Sequence, residues 1–192
     1  MPQKVASISI SAIIFLLLGY VIQNLVIYPM ELQLRAFESV QLYSLCYIPH
    51  GFKAIAYGIL GGWAFLPVLI SQTLGGALIY EDTAYRALEG GFIGSGCFLL
   101  SLVSFNYYRN VPLLSRIVTF EFRSSNRPLN LLLFGFWATF VNAIVSNLYW
   151  GASENHLFLK FAIGDVIGAF IVISLLLTLR QILYRNITGR RK

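Results

Sequence analysis

Four polar side chains stand where the surrounding sequence is apolar: His50, Lys53, Asn142 and Asp165. An ionised group at hydrocarbon depth is unfavourable by at least about 2.5–3.5 kcal/mol on insertion scales, so Lys53 and Asp165 should each face a partner or a wet cavity. His50 and Lys53 are three residues apart and can project from one helix face. Pro49 removes a backbone donor and Gly51 loosens the same turn, so this stretch is a polar break in an apolar helix. Carbonyls freed at that depth are tolerated only when buried in protein or facing water. Two arrangements follow. Lys53 and Asp165 can form a buried ion pair, completed by Asn142, that fixes helix register without necessarily stabilising the fold. Alternatively His50, Lys53, Asn142 and Asp165 line a small polar pocket that opens outward and takes a small ligand.

Catalysis has less support. The chain has no paired-carboxylate motif, no GxSxG and no HExxH, and Gly90-Gly91-x-x-Gly94 lies within an apolar helix rather than after a strand, so it is not a nucleotide fingerprint. His50 and His156 have no carboxylate beside them in sequence, which argues against a metal or haem site. Cys46 and Cys97 fall in separate apolar segments without metal or redox spacing and read as buried thiols. The expectation is a protein with no catalytic residue, no metal and no identifiable cofactor. Arg86 and Glu89 lie near a helix end, where snorkelling accounts for them.

The elements that must position these residues are membrane helices. With 57% hydrophobic and 11% charged residues and a mean hydropathy of +0.72, the composition is far from that of a globular domain. The 192 residues read as a single integral membrane domain, an all-α bundle. Spans are expected at 6–28, 86–107, 129–150 and 157–183, each near the 20 or so residues that cross roughly 30 Å of hydrocarbon. Pro29 should stop the first, and the mixed segment 31–39 should lie at the interface. The first run is too long for a signal-peptide core and lacks a cleavage site, so it is expected to be retained.

The stretch 42–79 is too long for one span and carries Pro49, Gly58, Gly61, Gly62 and Pro67. Charge decides the count. Lys4, the loop 109–127 and the tail 180–192 are basic and should be cytoplasmic, while the loops at Glu81–Asp82 and Glu154 should be outside. The stretch must then cross twice or re-enter, as a pair at about 42–60 and 63–79 turning near Gly61–Gly62. That makes six spans with both termini cytoplasmic. The same rule accounts for most of the net charge of +6, so no nucleic-acid partner is expected. The Asn186-Ile187-Thr188 sequon should sit inside, unused.

Small residues mark the packing faces. Gly90, Gly91, Gly94, Ser95 and Gly96 open one helix, and Gly164-x-x-x-Gly168 lies in the last. Such spacing lets backbones approach closely, within the bundle or in a homodimer. Gly135, Thr139, Asn142 and Ser146 recur at intervals of four, three and four, a stripe that should face the bundle interior.

Two blocks resemble the membrane-associated sensor domains at the N-termini of bacterial signalling proteins. The first runs from Ile48-Pro49-His50-Gly51-Phe52-Lys53 to Leu74-Gly75-Gly76-Ala77-Leu78. It is similar to that family's Pro-x-Gly start, short apolar helix, Trp-containing turn and Leu-Gly-Ala-Leu helix. The second, Gly164-Asp165-x-x-Gly168, resembles the family's entry into its last helix. Two departures stand out: family members usually have about eight helices and continue into a kinase or cyclic-nucleotide domain. The resemblance implies a bacterial inner-membrane module that senses or contacts something, with its output supplied by a partner. Besides the lipid bilayer, the expected partners are therefore a membrane protein and possible small ligands. An accessory subunit of a respiratory or photosynthetic complex, and a substrate-binding subunit of an energy-coupling-factor type transporter, fit the same features.

Overall fold

The computed structural model describes residues 2–35, 46–79, 83–109, 127–150 and 157–189. The expected segments at 36–45, 80–82, 110–126 and 151–156 lie outside them, as do the side chains of the 183–192 tail. Among the described residues all regular secondary structure is helical, with no strand. The elements are α1 (Pro2–Ile22), α2 (Tyr28–Arg35), α3 (Ile48–Leu60), α4 (Phe65–Ile79), α5 (Ala84–Tyr108), α6 (Arg127–Trp150) and α7 (Leu157–Gly189). Five stretches are long and apolar enough to cross a membrane: Ile8–Gln33, Ile48–Leu78, Ala84–Tyr108, Leu129–Tyr149 and Ala162–Ile182.

Pro29 does not stop the first helix. A π-helical turn at Gln23–Ile27 joins α1 to α2 without a break in direction. A π-turn opens the usual ladder by one residue and gives the proline ring, which has no N–H to donate, room inside a continuing helix. The segment expected at the interface is therefore helical as far as Arg35, and Glu31 is buried.

Ile48–Leu78 is a hairpin. Gly61 adopts φ 58°, a left-handed conformation suited to glycine, and breaks the run into α3 and α4. Contacts fix the directions. Tyr47 meets Gly164 while Gly51 meets Val172, so α3 runs parallel to α7. Asn142 pairs with Asp165 while Gly135 faces Ala169 and Ile173, so α6 opposes α7. Tyr149 donates to Glu89 and Trp137 to Ser104, so α5 opposes α6. Gln72 bonds Gly90 and Leu69 lies by Gly91, so α4 opposes α5 and hence α3. The arms, of 13 and 15 residues, are each about 20 Å long at 1.5 Å per residue, shorter than the roughly 30 Å hydrocarbon layer. They splay and pack chiefly on other helices: α4 on α5 and α1, α3 on α7, α1 and α6.

Every residue of α3 from Ile48 to Gly58 is buried, which makes this short helix the axis of the bundle. Leu16, Phe52, Ile55, Tyr57, Phe98, Leu102, Phe134 and Ile173 form the core around it. Tyr57 Oη donates to the Ser95 carbonyl at 2.9 Å and ties α3 to α5. The outer faces remain apolar: Ile14, Leu18 and Leu25 on the first helix and Leu175 and Leu179 on α7 are exposed, as helices in lipid require.

Candidate functional site

α3 begins inside the bundle. Cys46 and Tyr47 are not helical and run beside the first helix from Glu31 toward Gln23. Backbone amides here have no helical acceptor, and an unsatisfied amide away from water is costly. Each is met: Cys46 N–H donates to Glu31 Oε1 at 2.9 Å, Tyr47 N–H to the Gly164 carbonyl at 2.8 Å and Ile48 N–H to Gln23 Oε1 at 2.8 Å. Pro49 follows, with no N–H to satisfy, at the helix start where proline is best tolerated. The His50 N–H donates to the Tyr47 carbonyl at 3.2 Å. Gln23 and Glu31 escaped the sequence reading, although two polar residues eight apart on one helix face were visible.

The polar groups meet one turn further in. His50 Nδ1 lies 3.0 Å from Asp165 Oδ2, and both side chains are 1% exposed. Asn142 Nδ2 donates to the same oxygen at 2.7 Å. His50 Nε2 lies 3.0 Å from Thr139 Oγ1 and 3.4 Å from the Gly135 carbonyl, to which Thr139 also donates at 3.0 Å. With Nδ1 donating to the carboxylate, Nε2 can accept from the Thr139 hydroxyl only when that single proton turns away from the Gly135 carbonyl; if the ring holds a second proton, Nε2 donates to Thr139 Oγ1 instead. The expected stripe on α6 thus faces inward, with Thr139 and Asn142 both in the centre and Ser146 buried.

Lys53 does not pair with Asp165. Among the described residues, the imidazole of His50, one turn earlier on α3, occupies the carboxylate. Lys53 is 4% exposed, and its ammonium lies among aromatic rings instead, 5.9 Å from the Tyr20 centroid, 5.6 Å from Tyr47 and 6.0 Å from Phe98. Ring faces attract a cation, the more strongly when it is desolvated. Phe98 also packs on His50 at 4.7 Å, so it lies against both polar side chains of α3, His50 and Lys53. The four expected residues therefore divide into a hydrogen-bonded triad of His50, Asn142 and Asp165, and a caged Lys53.

The glycines divide as well. A Cβ on Gly168 would overlap the Tyr47 carbonyl, and one on Gly94 would overlap the Gln72 amide, so both are true close-approach positions. Gly164 contributes its carbonyl to Tyr47. Gly90 is not a packing glycine, because nothing lies within 4 Å of a Cβ built there; its carbonyl accepts from Gln72 Nε2 at 2.8 Å. Gly91 is a close-approach position as expected, and Gly51 and Gly75 are two that the spacing rule did not single out.

Among the described residues no group of three or more His, Cys, Asp or Glu is placed to hold a metal. Among the described residues, neither Cys46 nor Cys97 forms a disulfide. Comparison with protein families, with characterised proteins and with solved structures gives no match.

Proposed function

We propose that this chain is a non-enzymatic, sensor-like module of the bacterial inner membrane, with its termini and the basic segment 109–127 in the cytoplasm. One observation supports this above the rest: the His50–Asp165–Asn142 triad sits at the unwound entry of a half-helix and joins it to two through-going helices. Unwound backbone at depth is tolerated where it lines a cavity or a site, and a buried polar triad is not needed to hold an apolar bundle together. The two blocks that resemble sensor domains are also the two that meet there, through Tyr47 and Gly164. A change at this centre would move α3 against α7, which leads to the basic tail.

The test is purification in mild detergent, with identification of co-purifying proteins and small molecules, for the native chain and for Asp165→Asn. A partner bearing a kinase or cyclic-nucleotide domain, with activity altered by Asp165→Asn, is the expected result. A stable respiratory or photosynthetic complex would instead make the chain an accessory subunit. A cytoplasmic ATPase complex would make it a transporter subunit.

A further inference from the structure

A second polar feature lies on the other side of α3 from the triad. A cleft of about 130 Å³ is lined by Tyr20, Tyr47, Gln72, Gly76, Arg86, Ala87 and Gly90. It sits between the first helix, the entry to α3, α4 and the start of α5, at the end of the bundle that carries Thr83. Two of its wall residues, Tyr20 and Tyr47, are rings against which the Lys53 ammonium rests.

Three features give the cleft a chemistry. Lys53 is almost wholly buried, and among the described residues its ammonium has neither a hydrogen bond nor a carboxylate within ion-pair distance. Aromatic faces supply part of what water would, but they satisfy none of its three N–H donors. Arg86, at the opposite wall, is an exposed guanidinium without an ion-pair partner among the described residues. The first turn of α5, capped by Thr83, adds the positive end of a helix dipole near Arg86.

We infer that this cleft binds an oxyanion, a carboxylate or phosphate group entering from the Thr83 end, bound by Arg86 and drawn in by the Lys53 charge behind the Tyr20 and Tyr47 wall. The volume lies below the roughly 300–1,000 Å³ of drug-sized pockets, so the occupant is a small anion or the headgroup of an anionic lipid. The assignment supplies a ligand class for the sensing role proposed above and rests on that reading for its purpose. Its test needs no partner, so the two fail separately.

The full chain is placed in phosphatidylcholine nanodiscs and titrated with sn-glycerol 3-phosphate and with lactate, reading the thermal unfolding midpoint. A parallel sample contains phosphatidylglycerol. A saturable rise with either soluble anion identifies a free small molecule, and a rise confined to phosphatidylglycerol identifies the headgroup. In either case Arg86→Gln should weaken binding by about ten-fold or more, the size of one lost charge-assisted hydrogen bond, and Lys53→Met should weaken it less, through the lost charge alone. Arg86 is exposed and its replacement leaves the core intact, so this variant decides the matter if Lys53→Met fails to fold. No rise with any of the three probes, or a rise unchanged in Arg86→Gln, overturns the assignment.

Discussion

The Ile48 N–H donates to Gln23 Oε1 at 2.8 Å, so a side chain on the first helix caps a half-helix that starts within the bundle. The bond spans 25 residues of sequence and is fully buried. Replacing Gln23 with Leu keeps the bulk, removes the acceptor and strands the amide. A buried unsatisfied donor is unfavourable by about 1–3 kcal/mol. Gln23→Leu should therefore lower stability in a reversible detergent-unfolding assay by that amount, while Gln23→Glu, assayed at acidic pH where its carboxyl is neutral and still offers an acceptor oxygen at the same reach, should lose less. Equal losses would mean that Gln23 acts through packing alone.

The triad makes a second prediction. His50 and Asp165 touch, and residues in one hydrogen-bond network show coupling of roughly 0.5–3 kcal/mol in double-mutant cycles. A cycle of His50→Ala and Asp165→Asn should fall in that range. A cycle of Lys53→Met with Asp165→Asn should show the smaller coupling, because no direct contact joins them. The reverse order would place the Lys53 ammonium on the carboxylate and empty the aromatic cage.

Membrane architecture was legible because hydropathy and basic flanks are summed over many residues. The hairpin was legible for a related reason: a run with glycines at 58, 61 and 62 cannot stay one helix when charge places both of its ends on one side. The site was half legible. His50, Asn142 and Asp165 are conspicuous because polar groups are rare at such depth. Their pairing was not, since a three-residue offset on α3 decides whether imidazole or ammonium meets the carboxylate, and rotamers are not written in spacing. Pro29 misled for a similar reason. A π-turn that accommodates it depends on the whole first helix packing across α3 and α4, not on the local sequence. The start of α3 at Ile48 rather than near 42 was hidden too, because unwound backbone is stable there only through acceptors on distant helices.

Glycine substitutions should separate close approach from mere spacing. At Gly168 a new Cβ meets the Tyr47 carbonyl, rigid backbone that is itself held by Gly164. Overpacking of this kind is unfavourable by about 1–3 kcal/mol or more. At Gly90 nothing lies within 4 Å, and alanine is the better helix former by up to about 1 kcal/mol. Gly168→Ala should therefore lower folded yield and melting temperature, while Gly90→Ala leaves both unchanged or slightly raised. Gly94→Leu should behave like Gly168→Leu, because its neighbour Gln72 is anchored to Gly90. A tolerated Gly168→Leu would mean that α3 and α7 separate at Tyr47.

The last prediction concerns sidedness. α3 runs parallel to α7 and antiparallel to α4, so Ile48–Leu78 leaves and returns to one end of the bundle. The first helix runs against α3, since Gln23 meets Ile48 while Gly19 meets Phe52, and it therefore also runs against α7. The start of α1 and the end of α7 thus lie on the same face, and the basic residues at 109–127 and 180–192 predict that this face is the cytoplasmic one. Reporter fusions after Lys192 and within 116–127 should both give an inside signal, and a cysteine placed at the exposed Tyr85 should label with an impermeant reagent from outside. If Ile48–Leu78 crossed as one unbroken helix, the crossings would number five and the two ends of the chain would face opposite sides. A C-terminal reporter reading outside, with the N-terminus inside, would therefore unseat the hairpin and the placement of both polar sites with it.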